Sequence, residues 1–299
     1  MAEKLLFIYN PFAGKGKIRN KLADMIEIFA GEGYEVTVYP TRQPGDAVAA
    51  AEEKSAAYDL VVCSGGDGTL DEVVTGVMKC ERKVPVGYIP AGSTNDFGAS
   101  LGLPRNMVEA AWIAVEGKRF SCDIGSFNQD TFVYIAAFGI FTDVSYETSQ
   151  SSKNVLGHMA YILEGMKRLP GLRTYPIKAI YNGQETEDEF LFGMVTNSSS
   201  VGGFKKITGK YVELNDGLFE VTLIRKPKNP LELNQIMTSL VTESMDADCI
   251  IYEKTDRIVF ESKEAIAWTL DGEFGGEHER VEIINRPQAI ELLVPDESK

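Results

Sequence analysis

The chain has 299 residues, enough for one large domain or two ordinary ones, and its 44% apolar and 25% charged content is that of a globular protein. A formal net charge of −14 excludes the basic footprint of a nucleic-acid binder and argues against constitutive, charge-driven attachment to anionic lipid. The four cysteines form no C-x-x-C pair and the two histidines lie far apart, so reduced thiols and no zinc site are expected.

The apolar run in the first fourteen residues is too short for the core of a secretory leader and meets Asn10-Pro11 at once. Lys4 to Tyr9 reads as a buried strand. Ile18 to Ala30 has helical periodicity, with Leu22, Ile26 and Phe29 on one face. Tyr34 to Tyr39 is strand-like, Pro44 to Ala57 an Ala-rich helix, Asp59 to Cys63 a strand, Leu70 to Met78 a helix and Val84 to Pro90 a strand. Strands that are apolar throughout and alternate with helices predict a parallel sheet covered on both faces, with ligands beyond the carboxyl ends of its strands.

After about Cys122 the pattern changes. Phe127 to Phe138, Ile177 to Tyr181, Phe190 to Asn197, Leu218 to Ile224, Arg257 to Glu261, Ile266 to Leu270, Glu279 to Ile284 and Ala289 to Val294 read as strands. Turn residues such as Asn182-Gly183 and Asp216-Gly217 separate them. An antiparallel β-sandwich or barrel is expected, interrupted by helical stretches near His158 to Arg168 and Pro230 to Ser244. The most apolar later run, Val133 to Phe141, contains Gly139 and cannot span a bilayer, so no transmembrane segment is expected. The predicted organisation is an α/β domain over 1–123, to which about 289–299 returns, and a β domain over 124–288.

Three glycine-bearing loops follow strands of the first region. Gly65-Gly66-Asp67-Gly68-Thr69 opens the helix at Leu70, and its main-chain N–H groups suit an anion. Asp67 would repel a bare phosphate, and a shared Mg²⁺ would remove the conflict; alternatively Asp67 simply caps the next helix. Asn10-Pro11-Phe12-Ala13-Gly14-Lys15-Gly16-Lys17 is not a Walker A loop, because no Ser or Thr follows Lys17. Pro90-Ala91-Gly92-Ser93-Thr94-Asn95-Asp96-Phe97 repeats the theme. Far away, Leu270-Asp271-Gly272-Glu273 ends a predicted strand with two carboxylates, readable as an ordinary β-turn or as a general base.

Together these segments resemble the soluble diacylglycerol kinase and lipid kinase family of bacteria, whose catalytic domain is shared with sphingosine and ceramide kinases. The resemblance is carried by Asn10-Pro11 with Gly14, by Gly65 to Thr69 with Glu72, and by Gly92 with Thr94-Asn95-Asp96-Phe97. Asp123, Asp216-Gly217-Leu218 and Leu270-Asp271-Gly272-Glu273 complete it. It implies an α/β nucleotide-binding domain, a mainly antiparallel β-sandwich domain and an active site in the cleft between them. ATP would lie along Asn10, Pro11, Phe12, Ala13, Gly14, Thr41, Gly65, Gly66, Asp67, Gly68, Thr69, Leu70, Asp71, Glu72, Thr94 and Asn95. A structural Mg²⁺ would sit at Glu213, Asp216 and Leu218, and the active-site Mg²⁺ would be tied to Asp67, Asp96 and Asp123. Asp71 and Gly98-Ala99 depart from the usual Asn and Ala-Arg of the family.

The reaction implied is transfer of the γ-phosphate of ATP to a lipid hydroxyl, diacylglycerol giving phosphatidic acid; the resemblance assigns the proton acceptor to Glu273, and the sequence by itself does not separate it from Asp271. The enzyme would be cytoplasmic, visiting the inner face of the membrane transiently, and a homodimer is left open. Gly202-Gly203-Phe204-Lys205-Lys206 to Lys210, and Arg225-Lys226 with Lys228, are the basic stretches that could meet headgroups. Two other classes stand beside this one: a small-molecule kinase of the NAD kinase type, and a catalytically silent nucleotide- or lipid-binding protein.

Overall fold

The computed structural model describes residues 2–140, 173–202, 204–205, 212–242 and 247–296. The predicted helix at His158 to Arg168, and Gly203, Lys206 and Lys210 of the first basic stretch, lie outside the described residues. The chain forms two compact units, one of Met1–Asp123 with Gln288–Lys299 and one of Ile124–Pro287.

In the first unit, β1 (Glu3–Tyr9) takes the middle of a parallel sheet because Leu5, Leu6, Phe7 and Ile8 leave it no polar face. It pairs with β2 (Tyr34–Pro40) on one side and β3 (Leu60–Gly65) on the other, and β3 pairs with β4 (Val86–Pro90). The long strand β15 (Glu273–Val294) completes this sheet from the end of the chain, with Leu292 and Leu293 parallel to Val86 and Gly87. Helices α1 (Leu22–Gly31) and α5 (Met107–Glu116) cover one face, packing Met25, Phe29, Ala110 and Ala114 on Phe7, Val62 and Ile89. Helices α2 (Asp46–Lys54) and α3 (Asp67–Lys79) pack on each other. The helix expected from Ile18 begins instead at Leu22; a 3₁₀ segment over Ala13–Asn20 precedes it.

The second unit is largely antiparallel. Its strands run in the order β13 (Ile250–Thr255), β12 (Phe219–Arg225), β9 (Gln184–Thr196), β7 (Ile135–Gly139), β14 (Arg257–Leu270) and β15. Strand β8 (Tyr175–Tyr181) pairs with both β9 and β14, and β5 (Lys118–Phe127) forms a hairpin with β6 (Asp130–Phe132). Helix α6 (Pro230–Thr242) matches the periodic stretch expected there. The core centres on Trp268, 1% exposed, whose ring centroid lies 5.2 Å from that of Phe127, 4.9 Å from Phe138 and 5.2 Å from Phe260.

Five predicted strands are partitioned differently, one split and four merged in pairs. Phe127 to Phe138 is not one strand, because Asn128 adopts φ 52 and turns the chain between β5 and β6. Arg257 to Glu261 and Ile266 to Leu270 are one strand, β14, whose register with β15 shifts between Glu261 and Ile266. Glu279 to Ile284 and Ala289 to Val294 likewise belong to the single strand β15, which runs on through Pro287. Truncating Trp268 should test the core: Trp268→Ala should cost about 3–5 kcal/mol. The second unit's urea midpoint should fall accordingly, and an unchanged midpoint would show that the ring cluster does not hold that unit together.

Candidate active site

Register brings the loops of the first unit to one edge. Tyr9 pairs with Pro40 and with Ser64, and Gly65 pairs with Pro90, so four parallel strands end side by side. The residues just beyond them are stitched by main-chain bonds. Asn10 N–H donates to Ser64 O at 2.9 Å, Thr41 N–H to Tyr9 O at 2.9 Å and Ala91 N–H to Gly65 O at 2.7 Å. Thus Asn10, Thr41, Gly66 and Gly92, far apart in sequence, share one rim.

Within the rim, Asn10 accepts from Phe12 N–H through its side-chain oxygen, shaping the turn through Pro11 to Ala13. Phe12 is 68% exposed, with the Arg19 guanidinium 5.4 Å from its ring centroid. Gly14 has φ 57, and a Cβ there would lie 2.3 Å from Ala91 O; this loop can therefore rest on the Ala91 loop only through glycine. Asn95, at φ 55, bonds the main chain of Gly92 through both side-chain groups, closing the Gly92–Asn95 turn that includes Thr94. Leu70 is fully buried and anchors α3 in the core.

The acidic side chains hold backbone. Asp67 Oδ2 accepts from Asp96 N–H at 2.7 Å, and its Oδ1 accepts from the Tyr88 hydroxyl at 3.3 Å. Asp67, which opens α3, thus reaches across to cap the start of the short helix at Asp96–Ser100. Glu72 accepts from Gly45 N–H at 2.9 Å and Ala47 N–H at 3.1 Å, fixing the start of α2 just past Thr41. Asp96 and Asp123 are buried, and Asp123 accepts from Gln288 N–H at 2.7 Å. Gly68, Thr69 and Asp71 lie on the first turns of α3, half-buried beside Asp67. Sequence reasoning did not single out Tyr88, and nothing in Val86–Pro90 distinguishes its hydroxyl from that of any buried tyrosine.

In the second unit, Asp271 and Gly272 form a two-residue turn with φ 49 and φ 93 between β14 and β15, and Leu270 pairs with Glu273. Asp271 is 5% exposed, and its carboxylate accepts from the N–H groups of Val133, Tyr134 and Ile135. Glu273 is exposed. Arg225 and Lys226 of the second basic stretch form ion pairs with Asp188 and Glu189 on the neighbouring strand β9, which neutralises them.

At the turn expected to hold a structural Mg²⁺, Asp216 Oδ1 accepts from Leu218 N–H at 3.0 Å and its Oδ2 from Lys254 Nζ at 3.1 Å. Lys254 also lies 3.1 Å from Glu220 Oε1, and Glu220 has a wholly buried side chain. Burial pushes the Glu220 carboxyl up to about 7, against the pull of Lys254. Burial opposes the Lys254 ammonium, but the bonds to Asp216 and Glu220 outweigh it and raise its pKa. Glu213 is exposed at the edge of this turn. The donor set fits a lysine ammonium, and a divalent ion would first have to displace it. EDTA should therefore leave the melting temperature of the protein unchanged, whereas Lys254→Met should lower it and Mg²⁺ should restore part of the loss.

A parallel α/β sheet with glycine loops gathered at the carboxyl ends of its strands is the architecture of a phosphate-binding catalytic domain. The model of the diacylglycerol kinase catalytic domain matches residues 4–127. The chain is 36% identical to a diacylglycerol kinase of Bacillus subtilis (strain 168) over 97% of this chain and 96% of that one. It is 34% identical to a diacylglycerol kinase of Staphylococcus carnosus (strain TM300) over 100% and 97%. The chain belongs to the diacylglycerol kinase family. A crystal structure of a diacylglycerol kinase from Bacillus anthracis strain Sterne shares the fold, with a TM-score of 0.77, 23% identity and coverage of 99% of this chain and 98% of that one. Another from the same organism aligns with a TM-score of 0.83, 24% identity and coverage of 100% and 99%.

The glycines of the rim can be told apart by substitution. A Cβ on Gly65 would lie 2.2 Å from Thr69 Oγ1, whereas one on Gly66, at φ −80, would meet nothing nearer than Gly92 Cα at 3.6 Å. Gly65→Ala should destabilise the first unit by roughly 1–3 kcal/mol through overpacking. Gly66→Ala should melt like wild type and raise the KM for ATP, because its added methyl covers the rim rather than the core.

Proposed function

We propose that the protein transfers the γ-phosphate of ATP to the hydroxyl of diacylglycerol, giving phosphatidic acid. The observation that supports this reading is the shared register of the four strand ends at Tyr9, Pro40, Gly65 and Pro90, from which the loops proposed to take ATP depart side by side. N–H groups at this rim and at the start of α3 suit phosphate oxygens. Family membership supports both the chemistry and the class of acceptor.

Among the described residues no three His, Cys, Asp or Glu side chains gather closely enough to hold a metal ion by themselves. Mg²⁺ is commonly held by one or two carboxylates together with waters and the phosphates of its nucleotide. Asp67 and Asp96, joined by the bond from Asp96 N–H, would hold it, with the buried Asp123 in support. The ion would neutralise the charge that gathers on the phosphates during transfer. The chain's own residues do the rest. The rim amides bind and orient ATP, Glu72 keeps the loop past Thr41 in place, and Glu273 of the β14–β15 turn receives the hydroxyl proton.

No helix among the described residues is long and apolar enough to cross a membrane. Diacylglycerol is a membrane lipid, and the proposal places its encounter with the enzyme at a membrane surface, on the cytoplasmic side. Gly202 to Lys210 is the segment proposed to reach it, since its sequence sets Phe204 beside Lys205 and Lys206 and pairs apolar area with charge. Arg225 and Lys226, already ion-paired, are not part of that segment.

A panel of acceptors with labelled ATP in mixed micelles tests the reading. Wild type should label diacylglycerol, and Asp67→Ala should fold yet lose at least 100-fold in kcat. Labelling of a soluble acceptor in detergent-free buffer would point to a small-molecule kinase instead, and ATP binding without labelling of any acceptor would point to a silent binding protein.

A further inference from the structure

Tyr88 is the middle residue of β4 and is 1% exposed, and a phenol buried so deeply needs a partner for its hydroxyl. Two oxygens lie 3.3 Å from it, Gly65 O and Asp67 Oδ1. A hydroxyl has one proton to donate, and a carbonyl oxygen has two lone pairs to receive donors. Gly65 O already accepts from Ala91 N–H at 2.7 Å and from Gly92 N–H at 3.2 Å. The phenol proton therefore goes to Asp67, whose charge also makes it the stronger acceptor. On its other oxygen Asp67 accepts from Asp96 N–H at 2.7 Å. One donor on each oxygen stops the carboxylate from turning about its Cβ–Cγ bond.

The ring reaches this place because Gly98 leaves room for it. A Cβ on Gly98 would lie 3.2 Å from Tyr88 Cε1 and 2.8 Å from Pro90 Cγ, so the ring would have to move. Gly98 is buried within the short helix at Asp96–Ser100 and does not have a positive φ, so space rather than backbone conformation calls for glycine. The alanine usual in the family at this position would press on the ring. We infer that Tyr88 is a positioning residue that fixes the Asp67 carboxylate for the Mg²⁺–nucleotide centre, with Gly98 the residue that admits its ring. The inference rests on the kinase reading above. Each Asp67 oxygen keeps lone-pair capacity beyond what Tyr88 and Asp96 use, and these two donors decide which way it points. Asp67 is half-buried, so water can replace a lost phenol as a donor but leaves the carboxylate free to turn. Partners of this kind, which act on a metal site through another residue, are worth roughly 10- to 100-fold in metal affinity or activity.

The test uses the full chain and combines ATP binding by calorimetry, with Mg²⁺ and with EDTA, initial rates on diacylglycerol micelles, and amide hydrogen exchange at Asp96 without metal. Tyr88→Phe removes the hydroxyl and adds no atom. It should weaken ATP binding in Mg²⁺ and lower kcat, each about 10-fold, and leave ATP binding in EDTA and the KM for diacylglycerol unchanged. Exchange at Asp96 should speed up roughly 5-fold, because the oxygen that its N–H meets is no longer held still. Gly98→Ala should reproduce these losses with the phenol still present. The double variant should lose no more than the larger single loss, because both changes remove one contact. Should Gly98→Ala fail to fold, Tyr88→Phe carries the readouts by itself. Equal weakening of ATP binding with and without Mg²⁺, unchanged exchange at Asp96, or losses that add in the double variant would overturn the assignment. If wild type labels no lipid, the kinase reading fails instead, and exchange at Asp96 with the Mg²⁺ dependence of ATP binding still decides whether Tyr88 holds Asp67.

Discussion

The structure depends on one recurring interaction, a side-chain oxygen accepting from a main-chain N–H that no strand or helix satisfies. Asp67 does this for Asp96, Glu72 for Gly45 and Ala47, Asp46 for Arg42 and Gln43, Asp123 for Gln288 and Asp271 for Val133 to Ile135. A buried amide left without a partner is expensive, and a carboxylate is a stronger acceptor than a carbonyl. Parallel strands supply the scaffold but leave loops at their ends, and these bonds give each loop a single shape. The rim of the first unit is therefore acidic for a structural reason as well as for any chemistry it performs.

That double use bears on how acidic residues near a nucleotide site are read. A carboxylate in a glycine loop looks like a metal ligand, yet both oxygens of Glu72 are engaged by backbone, and those of Asp67 each accept a donor. A carboxylate that accepts backbone donors can still face a cation with its remaining lone pairs, which suits outer-sphere contact through water better than a tight all-protein cage. At the Asp216 turn the balance falls the other way, because Lys254 already brings a positive charge between two acids.

The fold class was legible because its signals are local. The apolar runs Leu5 to Ile8 and Leu60 to Cys63 can only be central strands of a covered sheet, and Asn182-Gly183 marks a hairpin by composition. Ile250–Thr255 was not legible, because among the described residues it pairs only with β12, and it carries Tyr, Glu and Lys at half-buried positions. The unity of β14 was hidden by Ser262 to Ala265, a polar interruption that the strand carries as a register shift. For the candidate site, residue types and order announced which segments matter. Which oxygen faces which amide did not show, since the partners lie far apart: Asp271 and Val133 are separated by 138 positions.

The last strand of the first unit has a consequence for how the chain is made. Leu292 and Leu293 lie against Val86 and Gly87, and Asp123 waits for the N–H of Gln288. On a ribosome, all of Ile124–Pro287 is synthesised before the residues that finish the earlier unit. Until then β4 offers an unpaired parallel edge, the kind of surface that invites mispairing with other chains. The first unit begins before the second and is completed after it, so its maturation waits for the synthesis of all of Ile124–Pro287, and a nascent chain released before then carries a sheet with an open side.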